Sequence, residues 1–127
     1  MKLLKHLRRL VKMTKNFKKS ELECPCCEVC NMDSTFMEKL QLLRDKCNFG
    51  FKVNSAYRCE KHNSEVSKNS MNQHTNGLAV DISLKDRYKR YTFLYYALDM
   101  GFFKDIAISK TFIHLGKGNK QNGIGVY

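Results

Sequence analysis

With 127 residues, 43% of them hydrophobic, the chain has material for one core and not for two, and no apolar run in it is long enough to cross a bilayer. A formal charge of +11 suggests a nucleic acid or an anionic surface as partner, but its distribution removes most of that inference. Residues 1–19 hold eight Lys or Arg and no acid, which leaves fifteen basic against twelve acidic residues, so no nucleic-acid partner is expected for the nearly neutral remainder.

Residues 1–12 place Leu3, Leu4, Leu7, Leu10 and Val11 on one helical face, ringed by Lys2, Lys5, Arg8, Arg9 and Lys12. This reads as a basic amphipathic leader over residues 1–16, suited to weak contact with an anionic surface. Charges interrupt the leucines and no small-residue cleavage site follows, so a secretory signal is not indicated and synthesis in the cytoplasm is expected. Met13-Thr14-Lys15-Asn16-Phe17 resembles a protein start, and we hypothesise that translation begins at Met13; an intact mass that includes residues 1–12 would rule this out.

A single domain is expected over residues 17–127. Phe17 to Leu22 leads into Cys24-Pro25-Cys26-Cys27-Glu28-Val29-Cys30, with Cys47 and Cys59 apart. The adjacent Cys26 and Cys27 do not readily bridge each other, which argues against a disulfide ladder. Two readings stay open: reduced or partly paired thiols in a tight loop, or a structural zinc on thiolates such as Cys24, Cys27 and Cys30. Next, Asp33 or Ser34 caps a helix running to about Lys46, with Phe36, Met37, Leu40, Leu43 and Cys47 as the buried stripe and Gly50 as its stop. Phe51 to Arg58 reads as the first core strand, Glu60 to Ser67 as a short helix, and Lys68 to Asn72 as polar loop.

That loop delivers Gln73-His74-Thr75-Asn76-Gly77-Leu78-Ala79-Val80-Asp81. Gly77 permits a sharp turn between His74 and Asp81, because glycine alone reaches positive φ without steric cost. Leu78 to Ser83 alternates as a strand, which turns Asp81 away from the apolar layer. Asp86 to Met100 is a second long helix, with Tyr88, Tyr91, Leu94, Tyr95 and Leu98 its expected inward face and Gly101 its end. Ile106 to Ser109 and Phe112 to Leu115 pair as a hairpin through Lys110, which sets His114 in the sheet beside Asp81. The glycine-rich tail is expected to be mobile until Val126-Tyr127. Taken singly, His74, Asp81 and His114 have ordinary roles in a loop, a helix cap and a sheet. Taken together they offer three zinc ligands with a fourth position left for water.

The stretches SAYRCEKHN, QHTNGLAVDI and FIHLG, in this order and spacing, resemble the zinc D-Ala-D-Ala carboxypeptidase family, peptidase family M15, and especially its short phage and prophage members. The likeness runs from about Asn16 to Leu115. It implies an α+β fold, a small antiparallel sheet with flanking helices of the hedgehog/DD-peptidase type, in a chain expected to be monomeric. It implies Zn2+ held by His74, Asp81 and His114, and a zinc peptidase acting on peptidoglycan stem peptides as carboxypeptidase or endopeptidase, after lysis or from within a virion. Arg58 matches the arginine that takes a terminal carboxylate or steadies the oxyanion, and Gln73 is expected to contact substrate or orient His74. The resemblance also has departures. Thr111 stands where many family enzymes carry an acidic general base, Gly116 stands where phage relatives have aspartate, and Asn72 replaces a usual serine. Asp105 is the nearest carboxylate upstream of His114 and the substitute candidate for the base. His62 reads as a locally packing residue. A zinc-holding wall or virion module of the same fold with little or no turnover is the alternative.

Overall fold

A computed structural model describes residues 15–66, 73–118 and 122–127. The leader helix, the Met13 start and the loop at Lys68 to Asn72 lie outside the described residues. The chain forms a mixed α+β fold with helices α1 (Lys19–Leu22), α2 (Ser34–Cys47), α3 (Glu60–Val66) and α4 (Arg87–Met100). Its strands are β1 (Lys52–Ser55), β2 (Ala79–Ser83), β3 (Asp105–Ile108), β4 (Phe112–Gly116) and β5 (Gly123–Val126), in the sheet order β1-β2-β4-β3-β5. Among the described residues no helix is long and apolar enough to cross a membrane.

Helix α2 forms where its sequence asks for it. Asp33 caps it by accepting from the Phe36 amide at 2.9 Å, and Phe36, Met37, Leu40, Leu43 and Cys47 are all buried. Its stop differs from the expected Gly50: Asn48 takes the left-handed conformation (φ 58°) and donates its amide to the Arg44 carbonyl. Asparagine is the residue after glycine that tolerates this region, and it comes two positions earlier. Burial pushes the Cys47 thiol up to about 11, against a smaller opposing pull from Arg44. Cys47 should therefore stay unalkylated by iodoacetamide in the native chain at pH ~8 and react roughly a hundredfold faster once denatured, which peptide mass mapping measures.

Of the inward face expected for helix α4, only Leu94 packs against the core. Tyr88, Tyr91, Tyr95 and Leu98 are exposed, while Phe93 and Ala97 are fully buried and Leu94, Tyr96 and Met100 pack beside them. The helix carries apolar stripes on two faces, and packing selected the one that holds Phe93 and Ala97; Tyr88, Tyr91 and Tyr95 keep their O–H in water at little cost. Asp86 caps this helix by accepting from the amides of Tyr88 and Lys89, so Asp81 is not used as a cap. Gly101 closes it in the left-handed region at φ 69°.

Two further elements depart from the sequence reading. Strand β1 stops at Ser55, after a register shift between Val53 and Ser55, rather than continuing to Arg58. Residues 56–58 leave the sheet; the Tyr57 amide donates to Leu22 and the Arg58 amide to His74. The tail is not slack from 123 onward, because β5 pairs in parallel with β3, Ile106 opposite Ile124. Its side chains are exposed, so the strand is held by its backbone ladder against an edge that would otherwise stay open.

Candidate metal centre and cleft

The sheet register decides which side chains meet. Asp81 on β2 lies directly opposite His114 on β4 and pairs on its other side with Ser55 of β1. His74 arrives from the loop ahead of β2, which is folded by Gly77 donating to the His74 carbonyl and Leu78 to that of Gln73. The result is a buried cluster: one potential ligand atom from each of His74, Asp81 and His114 lies within 4.8 Å of the others. His74 Nε2 is 3.5 Å and His114 Nδ1 2.8 Å from Asp81 Oδ1, and the two ring centroids are 5.2 Å apart.

Hydrogen bonds behind the rings set their tautomers. His74 Nδ1 sits 2.7 Å from the Ala56 carbonyl oxygen, which can only accept, so Nδ1 carries the proton and Nε2 presents its lone pair towards Asp81. For His114 the logic runs through Gln73. Asp105 Oδ2 accepts from Gln73 Nε2 at 2.7 Å, which turns the amide oxygen towards His114 Nε2 at 3.2 Å and makes Nε2 the protonated nitrogen. His114 Nδ1 is then the lone-pair nitrogen facing Asp81. Two imidazole lone pairs converging on a carboxylate repel it unless a cation lies between them. The set fits a divalent metal of borderline softness, zinc among them. Burial alone would raise the Asp81 carboxyl, but its contacts with His114 and His74 outweigh it and hold the group well below the usual carboxylate range.

On the open side lies a cleft of about 660 Å³, lined by Arg58 and Asp81 together with Glu23, Asn54 and His62. Arg58 Nη2 is 3.9 Å from Asp81 Oδ2, Nη1 donates to Asn63 Oδ1 at 3.3 Å, and buried Nε has no hydrogen-bond partner among the described residues. The cluster is thus not sealed: Asp81 reaches the cleft beside a guanidinium with donor capacity to spare. His62 lines this cleft rather than only packing locally.

A comparison with protein families finds that the Peptidase M15 model matches residues 14–116. The chain belongs to the peptidase M15 family. None of the curated proteins compared with it matches significantly. In this M15 peptidase the matched stretch takes in Arg58, Gln73, His74, Asp81, Asp105 and His114, while β5 and Tyr127 lie beyond it.

Four placements in the M15 peptidase differ from or extend the sequence reading. Gln73 orients His114, not His74, whose ring is held by the Ala56 carbonyl. Gly116 has a steric reason: a Cβ there would overlap Gln73 Oε1 and stand 3.2 Å from His114 Nε2, so the glutamine amide occupies the space that an aspartate side chain would need. The carboxylate missing at 116 returns from the strand alongside, since Asp105 is the register partner of Gly116. Asp105 lies 3.9 Å from His114 Nε2 and acts on it through Gln73. Tyr127 was missed; β5 brings its ring to 6.4 Å from that of His114. Burial, then the Asp81 carboxylate, raise its phenol, so it stays a neutral donor. No local signal announces it, because the edge of β3 places it.

Groups that orient a ligand from behind are worth about ten- to hundredfold in metal affinity or rate. Gln73→Ala is expected to fall in that range. Asp105→Asn should cost less, since an amide oxygen can still accept from Gln73 Nε2. Competition for the metal against a chromophoric chelator measures both.

Proposed function

We propose that this M15 peptidase is a zinc-dependent hydrolase of peptidoglycan stem peptides, cutting a D-Ala-containing bond as a carboxypeptidase or a short-range endopeptidase. The observation that carries this reading is the pair of tautomer-locked imidazoles meeting one buried carboxylate at the foot of an open cleft, with Arg58 beside them. His74 Nε2, an Asp81 oxygen and His114 Nδ1 would hold the ion. When bound it would supply Lewis acidity, polarising the scissile carbonyl and making water a competent nucleophile near neutral pH. The chain's own residues do the rest. Ala56 and Gln73 keep both rings in the ligating tautomer. Arg58 offers a planar fork to the substrate's terminal carboxylate or to the oxyanion that develops at the cut carbonyl.

Purified zinc-loaded protein should release D-Ala from a pentapeptide muropeptide or shorten cross-linked muropeptides, and a chelator should stop it. Stoichiometric zinc with no cleavage of any muropeptide would sink the enzyme reading. Arg58→Lys keeps the charge and loses the fork; a charge-assisted bidentate contact of about 1.5–3 kcal/mol predicts a roughly ten- to hundredfold rise in KM for substrates with a free terminal carboxylate. Substrates blocked as amides should barely respond.

One observation favours a second reading, a metal-holding wall or virion module with weak turnover or none. Thr111, the position where family enzymes carry a base, is an exposed residue of the β3–β4 turn, and Asp105 is engaged by Gln73 on the Nε2 side of His114. A general base contributes about a hundred- to ten-thousandfold. Thr111→Glu raising turnover by that order would favour this second reading for the natural chain.

A further inference from the structure

We propose that Cys24, Cys26, Cys27 and Cys59 form a second zinc site, separate from the histidine cluster, whose role is to fasten the cysteine loop to the segment that carries Arg58. The four sulfurs lie within 4.8 Å of one another. Cys24 and Cys26 are 3.5 Å apart, Cys24 and Cys59 3.6 Å, and Cys26 and Cys59 3.2 Å. A tetrahedral ion with Zn–S bonds of about 2.3 Å spaces its sulfurs at about 3.8 Å, close to this cluster. A disulfide would bring two sulfurs to about 2.05 Å, whereas these cysteines are free and Cys24, Cys26 and Cys59 stand in mutual contact at non-bonded separations. Cys30, which the sequence grouped with Cys24 and Cys27, stands outside the set; Cys59 takes its place from 35 positions away in the chain.

The surroundings are built for thiolates. The loop folds back on itself, Cys24 N donating to the Val29 carbonyl and Glu28 N to that of Cys24, with Glu28 in the left-handed region at φ 60°. That tight knuckle buries Cys24 and turns Cys26 and Cys27 outward, which leaves an entry path for the ion. Two backbone amides donate to sulfur, Cys59 N to Cys24 Sγ and His62 N to Cys59 Sγ, both at 3.4 Å. An ion here closes the site completely with four protein ligands, the coordination of a structural zinc, whereas the histidine cluster offers three.

Cys59 directly follows Arg58, and the cleft is walled by Pro25 and Glu28 from the loop and by Arg58 and His62 from the other segment. A cross-link between loop and segment fixes that wall and, through it, the guanidinium. Metal binding of this kind is itself folding free energy for the segment it closes.

The test keeps the two sites apart. The His74→Ala/His114→Ala chain, purified under reducing conditions, should retain about one tightly held zinc per chain, the closed tetrathiolate site. Replacing that zinc with cobalt should give the intense sulfur-to-cobalt charge-transfer absorption that nitrogen and oxygen ligands do not produce. Cys59→Ser and Cys26→Ser, the latter at an exposed position, should each weaken the band in a chain that stays folded by circular dichroism. A folded double-histidine variant that binds cobalt without that band, or that binds none, would overturn the proposal. So would a metal-free folded chain in which peptide mapping finds Cys26 joined to Cys59. Should the wild type show the band while loss of both histidines leaves metal content unchanged, the thiolate site stands and the peptidase metal centre falls.

Discussion

Replacing His114 by alanine is expected to remove metal from the cleft and to cut peptidase turnover by on the order of a thousandfold or more. The figure follows from Lewis-acid stabilisation of several kcal/mol at about 1.4 kcal/mol per factor of ten. Elemental analysis and a muropeptide assay, run beside circular dichroism, separate loss of the ion from loss of the fold. The substitution also has a signature in the metal-free chain. His114 is the nearest partner of Asp81, at 2.8 Å, and with His74 it holds the carboxyl below its ordinary value although burial pushes it up. A folded pKa below the unfolded value of about 3.9 contributes stability that is fully present above that pH and is lost as pH falls from there through the folded pKa. Metal-free wild type should therefore lose melting temperature steeply below pH ~4. Without His114 the folded pKa of Asp81 moves up towards or past the unfolded value, so the loss on acidification should shrink or disappear. An unchanged acid profile would mean that the two side chains are not coupled as described.

Gly77→Ala is expected to be the most damaging single substitution outside the ligands, costing about 3 kcal/mol or more of the roughly 5–15 that a domain of this size has. Gly77 sits at φ 71°, where a Cβ would overlap the Asn31 carbonyl oxygen and stand 2.9 Å from the Asp33 amide. These obstacles are backbone, fixed by the Asp33 amide donating to the Gly77 carbonyl at 3.0 Å, so no rotamer change relieves them. Because His74 and Asp81 flank this turn, the damage should reach the metal centre as well. Chemical denaturation should show a lowered midpoint and metal titration a weakened site. A variant as stable as wild type would refute the close approach of the two segments.

Gly77 was legible in the sequence because its requirement is local: a turn between two polar ligands on the way into an apolar strand. The stripe of α2 was legible for a similar reason, since only one face of that helix is apolar. Helix α4 was not, because aromatic residues occupy two faces and the choice belongs to what packs against them. The facing of Asp81 and His114 followed from strand alternation and a short hairpin. The agents that orient the rings did not. Gln73 reaches His114 only because Gly116 leaves room, and Asp105 joins them by sheet register, which local spacing does not encode. Cys59 was likewise read as a lone cysteine, and β5 as slack, because each finds its partner through tertiary contact.

The recruitment of β5 to the sheet edge has a practical consequence for anyone handling the protein. Its parallel pairing carries the backbone past Ile108, where the Tyr127 amide donates to the carbonyl at 3.0 Å, and leaves the tyrosine ring beside His114. An affinity handle appended there, above all a run of histidines, would begin beside the His114 ring and compete for the ion. Purification tags belong at the opposite terminus.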